Sequence, residues 1–83
     1  MENILNAPKE DRVIGFRQVK KAINGNRLRC VTVAEDIEEA IKSQIVALAK
    51  GHNVPLTTCR SRQELGAKLG IDVACAVCGV LKK

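Results

Sequence analysis

The sequence predicts an α/β domain, with a mixed central sheet of about four strands covered by helices on both faces. Three observations point there. Short β-rich runs alternate with helical periodicity along the chain. Gly or Asn stands at the end of each helical stretch, where a left-handed residue is needed. The core has to be aliphatic, because hydrophobic residues make up 46% of the chain and aromatics only 1%. At 83 residues the chain is read as a single domain, residues 1–83, large enough for one core.

The elements follow in order. Met1 to Asp11 forms an amphipathic opening with a brief helix through Ile4 and Leu5, interrupted by Pro8. Val13 and Ile14 make a short strand leading into Gly15. A helix runs from Phe16 and stops near Asn24-Gly25-Asn26. Leu28 to Ala34 is β-rich, with Val31 and Val33 at its centre. Asp36 and Glu39 have capping-box spacing, with Asp36 as the cap of the longest helix. Ile37, Ile41, Ile45 and Leu48 form its apolar stripe, and Gly51 closes it. Val54 to Cys59 reads as a strand whose start is marked by Pro55. Ser61-Arg62-Gln63-Glu64 is a second capping box, opening a helix with Leu65 and Leu69 inward and Gly70 at its end. Ile71 to Cys75 is an apolar loop, Ala76 to Leu81 a last strand, and Lys82-Lys83 a solvated tail.

Composition narrows the function. The net charge of +5 favours a polyanionic partner. One Phe and no Trp or Tyr argue against a binder that stacks bases on an aromatic sheet. No apolar run approaches a membrane span, and Met1-Glu2-Asn3-Ile4 does not open like a secretory signal, so the expected compartment is the cytoplasm. His52, beside Gly51 in a helix-to-strand turn, reads as a solvated loop residue rather than a base. There is no nucleophile elbow, phosphate-binding glycine loop or zinc-protease motif, so an enzyme is not expected. Of the four cysteines, Cys30, Cys59, Cys75 and Cys78, only the last two form a C-x-x-C. In one regular strand those two would face opposite ways and could not share an ion. Reduced, partly buried thiols are the default, with no metal or cofactor.

The segment Ile14 to Ala22 carries the most chemistry. At 100° per residue, Val19, Ala22 and Ile23 fall on one side with Phe16 at its edge. Arg17, Gln18 and Lys21 share the other. A guanidinium, an amide and an ammonium thus stand beside the free N–H groups of a helix start, the groups that hold phosphates and read base edges.

Several segments, in this order and spacing, resemble the kink-turn-binding L7Ae/L30e family of ribosomal proteins, and more narrowly its small bacterial members. They are Gly15-Phe16-Arg17-Gln18-Val19-Lys20-Lys21-Ala22, Val31-Thr32-Val33-Ala34-Glu35-Asp36, Asn53-Val54-Pro55, and Ser61-Arg62-Gln63-Glu64-Leu65-Gly66 running to Gly70. The resemblance spans Val13 to Leu81. It implies a three-layer α/β/α sandwich and an activity of binding, not catalysis, toward a sharply bent RNA with tandem sheared G·A pairs. By the same resemblance, Gly15 lets the backbone approach RNA. Arg17 and Gln18 stand where the family's Asn-Glu pair meets the G·A pairs. Lys21 matches its phosphate-contacting lysine, Glu38 an acidic position that bonds a base, and Arg62 a basic position beside the bulge. The loop Ile71-Asp72-Val73-Ala74-Cys75 matches the apolar loop that packs on the bulge. Phe16, where a small residue is usual, either contacts RNA with this set or staples the helix to the core. Gln18 both donates and accepts, whereas Glu only accepts, which changes the base edge it suits.

The implied partner is RNA: ribosomal RNA, a riboswitch or a small noncoding RNA, with the protein a monomer and associated with the ribosome in the first case. Two other functions remain open. One is a protein-interaction module that keeps the fold without the RNA site. The other is a zinc or redox protein built on Cys75 and Cys78.

Overall fold

The computed structural model describes residues 11–71 and 73–82. The elements are β1 (Arg12–Ile14), α1 (Phe16–Asn24), β2 (Leu28–Ala34), α2 (Glu39–Gly51), β3 (Leu56–Cys59), α3 (Arg62–Leu69) and β4 (Val77–Leu81). The opening helix expected through Ile4 and Leu5 lies outside the described residues, as do Asp72 and Lys83.

The strands form one mixed sheet in the order β1-β4-β2-β3. β4 runs antiparallel to both of its neighbours, and β2 and β3 are parallel. Hence β1, β2 and β3 all point one way, and the start of β4 lies at their carboxyl ends.

Alternation along the strands divides the core into two layers. Val31 and Val33 of β2 and Val77 of β4 pack with Val19, Ala22 and Ile23 of α1 and Ile45 and Ala49 of α2. On the opposite face Cys30 and Ala34 of β2 and Cys78 and Val80 of β4 pack with Leu65 and Leu69 of α3. The described residues therefore place two helices on one face and one on the other, the sandwich the sequence predicts.

One irregularity corrects the alternation. Leu28 pairs with Leu81 and Cys30 with Val80, so two steps on β2 match one on β4 around Arg29. This bulge turns Leu28 onto the face of α1 and α2 while Cys30 stays on that of α3. Gly79 makes room for it: a Cβ there would lie 2.9 Å from Leu28 Cδ1 and 3.0 Å from the Cys30 carbonyl.

Most boundaries match the sequence reading, and the exceptions have local causes. α2 begins at Glu39 with Glu38 as its uncapped N-cap. Asp36 is not the cap of this helix. Its carboxylate accepts the backbone N–H of Arg62 at 2.8 Å, serving the first turn of α3 instead. β3 begins at Leu56, not Val54; Pro55 brings only a carbonyl, which accepts from Val31 N–H at 3.0 Å. His52 lies half-buried in the turn after α2, at its carboxyl cap, with Nδ1 2.8 Å from Asn26 Oδ1 in an exposed hydrogen bond, so the partly solvated residue also links two turns.

Candidate nucleic-acid interface

Gly15 starts the site. Its φ of 102° and ψ of 151° lie where L side chains rarely go, and a Cβ there would meet nothing within 4 Å. Backbone shape, not crowding, calls for glycine, and the space above it is open to a ligand. α1 follows with no side-chain cap and no acidic residue in its first turn. Its leading N–H groups therefore lack an acceptor from a capping side chain, and the positive end of the helix dipole faces outward.

Val19, Ala22 and Ile23 are buried, while Arg17, Gln18, Lys20, Lys21 and Asn24 are exposed, as the wheel predicts. Phe16 is half-buried and packs against the core beneath α1 and α2. The Lys20 ammonium lies 5.7 Å from its ring centroid. Of the two roles considered for Phe16, these contacts describe the staple.

Three backbone hydrogen bonds tie the remaining parts to this helix start. Gly15 N–H donates to the Val77 carbonyl at 2.9 Å, Ala34 N–H to the Ala76 carbonyl at 2.8 Å, and Cys75 N–H to the Arg62 carbonyl at 3.0 Å. The segment Val73–Ala76 is thereby fixed between the starts of α1 and α3 and the end of β2. Gly66 lets α3 approach it closely: a Cβ there would collide with the Val73 carbonyl. Val73 is 69% exposed and Ala74 is exposed, Ile71 is half-buried against the α3 core, and Cys75 lies beneath at 3% exposure. Val73 and Ala74 thus carry the apolar surface expected of the loop, and Cys75 supports it from below.

Arg62 and Glu38 lie at the same end of the sheet. Glu38 is exposed in the turn that follows β2. Arg62 Nε is 3.7 Å from Asp36 Oδ1, with side chains 54% and 46% exposed, so one edge of the guanidinium is engaged. Gly15, Arg17, Glu38, Arg62 and the Val73–Ala74 loop therefore share the carboxyl ends of the three parallel strands, where open α/β sheets bind ligands. Gln18 and Lys21 stand further along α1, on the rim of a groove floored by Val13, Ala22 and Leu81. The sequence reading missed Lys20 and Asn24, three and seven residues from Arg17 on one helical face. It also missed Ile14, 40% exposed at the end of β1.

All four thiols are free and buried, and they gather in the core under α3, although they come from four separate segments. Cys75 precedes β4 instead of lying within it, so the opposite-faces expectation for Cys75 and Cys78 does not apply. The Cys78 thiol hydrogen-bonds to Cys75 and lowers its pKa to about 7. Burial opposes that shift, and backbone hydrogen bonds at Val77 and Gly15 add to it. The same thiol contact and burial push Cys78 far up. Among the described residues, no three His, Cys, Asp or Glu side chains are placed to hold a metal ion, and no helix is long and apolar enough to cross a membrane.

An α/β/α sandwich with a cationic, uncapped helix start beside a fixed apolar loop offers a surface that suits an anionic ligand. The chain belongs to the Ribosomal protein L7Ae/L30e/S12e/Gadd45 family, whose model matches residues 1–83. Proteins named RNA-binding protein in Staphylococcus aureus strains JH9 and Mu50 are each 24% identical to it over 81 residues, covering 98% of this chain and 96% of theirs. A solved structure of a protein with unknown function from Bacillus halodurans superposes with a TM-score of 0.81 at 23% identity, over 88% of this chain and 73% of that one. That likeness speaks for the fold. Membership of this family, with relatives that carry that name, points to binding rather than catalysis.

Proposed function

We propose that this protein is a non-enzymatic RNA-binding protein that captures kink-turn RNA, acting as a monomer in the cytoplasm and in association with the ribosome. The observation that carries the reading is the meeting, at one end of the sheet, of the Gly15 helix start with the exposed Val73–Ala74 loop. Phosphates would meet Arg17, Lys21 and Arg62, giving a salt-dependent attraction. Gln18 and the apolar loop would meet splayed bases, which proteins read on RNA where they cannot read a paired A-form groove. A surface that fits only the bent form shifts a flexible junction toward it by its differential affinity.

Calorimetric titration tests this with a kink-turn RNA and the same RNA lacking its G·A pairs. Binding that is tighter to the first supports the reading. Equal, weak binding to both would leave a generic basic protein and overturn it.

A further inference from the structure

The groups assigned to the kink occupy the start of α1, the strand ends and Lys21, yet the basic surface continues. Arg17, Lys20, Lys21 and Asn24 line one shallow depression along the helix. Gln18, Lys21 and Arg27 rim a second groove of about 180 Å³, beside β1 and the end of β4. Arg27 is held in place. Its N–H donates to the Ala22 carbonyl at 2.8 Å, after Asn26 has turned left-handed at φ 56°. Lys82 N–H donates to the Arg27 carbonyl at 2.7 Å, which sets the chain at Lys82 beside the same turn. From Arg17 to Asn24 the helix rises about 10 Å.

Among the described residues, Asp11, half-buried just before Arg12 of β1 and so near the end of β4, is the one acidic residue at the Lys82 end of this row. α1 contains none. Arg17, Lys20, Lys21, Arg27 and Lys82 are all exposed, and among the described residues none of them is in an ion pair with a carboxylate. A cation in the last turn of a helix complements its dipole, and Lys21 alone suffices for that. The others repel one another in the free protein, a cost that counterions offset in part and a polyanion offsets better. A shallow, open strip in which cations predominate suits a phosphodiester backbone running along it.

We propose that the second half of α1, with Arg27 and Lys82, is a second RNA-contact zone that holds the backbone phosphates of one stem as it leaves the bend. This rests on the kink-turn reading and adds a direction to it. The bound stem runs from the Gly15 end of the domain toward its opposite end.

The test is titration of the full chain and of the Arg27→Gln/Lys82→Gln variant with three kink-turn RNAs: both stems long, and each stem trimmed in turn. On the long RNA the variant should bind roughly tenfold more weakly, and its salt slope should be shallower by one to two units. Trimming one of the stems should abolish the difference between variant and parent, and trimming the other should preserve it. An unchanged affinity, or an equal loss on all three RNAs, would overturn the second zone even while the parent still discriminates against RNA without G·A pairs. If the parent fails that discrimination, the kink-turn reading falls first and this proposal with it. Tighter binding of the parent to an acidic peptide than to any of the RNAs would likewise overturn it.

Discussion

At the scale of single residues, the interface divides into side chains that attract and glycines that make space. Lys21→Ala should weaken every RNA tested and flatten the salt slope by about one unit, because it would remove one phosphate contact of the proposed interface. Gln18→Ala should instead narrow the gap between bent and unbent RNA. The glycines act through the backbone. A methyl group at Gly66 would overlap the Val73 carbonyl far inside van der Waals contact, so Gly66→Ala has to move α3 or the loop. A loss of about 1–3 kcal/mol is expected, as for other overpacked sites, together with weaker RNA binding; thermal melts and titration would show both. Gly15→Ala differs, because its Cβ meets open space. Its strained φ costs roughly 1–3 kcal/mol, and its affinity loss should exceed what that destabilisation explains. Of these two glycine roles, only that of Gly15 is local in origin. The sequence marks Gly15 as a helix opener, but the carbonyl facing Gly66 lies seven residues on, in a loop whose path only the folded chain defines.

At the scale of elements, α3 shows what a local pattern reveals and what it hides. Ser61 Oγ accepts the Glu64 N–H at 3.1 Å, as its spacing predicts. Glu64 does not complete the reciprocal half of the box. Its carboxylate instead meets Lys68 at 3.5 Å and the Cys59 thiol at 3.5 Å. Asp36 has the same spacing from Glu39 and yet caps nothing in α2, because the start of α3 claims it across the site. Ser61→Ala and Asp36→Ala should therefore both destabilise the same helix, each by about 1 kcal/mol, measured by denaturant titration. Asp36→Ala should leave the amide exchange of α2 untouched; faster exchange in the first turn of α2 would restore it as that helix's cap. Helices, strands and their order were legible because period and punctuation are properties of neighbours in sequence. Which carboxylate serves which helix was not, since residues 36 and 62 meet only after the sheet has formed.

At the scale of the whole molecule, the cysteines show the same limit. Nothing in their spacing foretells that four thiols from β2, β3, the loop and β4 would share one layer of the core. Their assembly has a pH signature. The folded state lowers the pKa of Cys75 from the ordinary 9.0 to about 7. That contribution to stability is complete above pH 9 and is lost as the pH falls through 7. Cys78 is shifted the other way, so it keeps its proton while the unfolded thiol ionises, and stability declines above pH 9. The melting temperature should thus rise between pH 7 and 9 and then fall, and Cys75→Ser should remove the rise. The candidate site was half legible on the same terms. The face of α1 could be read from its wheel, whereas its meeting with the loop depends on β4 entering the sheet between β1 and β2.

That meeting is secured by main-chain groups: Gly15 to Val77, Ala34 to Ala76, and Cys75 to Arg62. Amide and carbonyl are the same at almost every position of any protein. Apart from Gly15, whose backbone shape needs glycine, and Gly66 beside the loop, the frame holding the helix start against the loop is therefore largely indifferent to the side chains of the residues that compose it. Descendants of such a chain can exchange nearly every side chain on the rim, and with it the molecule they grip, without redrawing the mould in which those side chains are set.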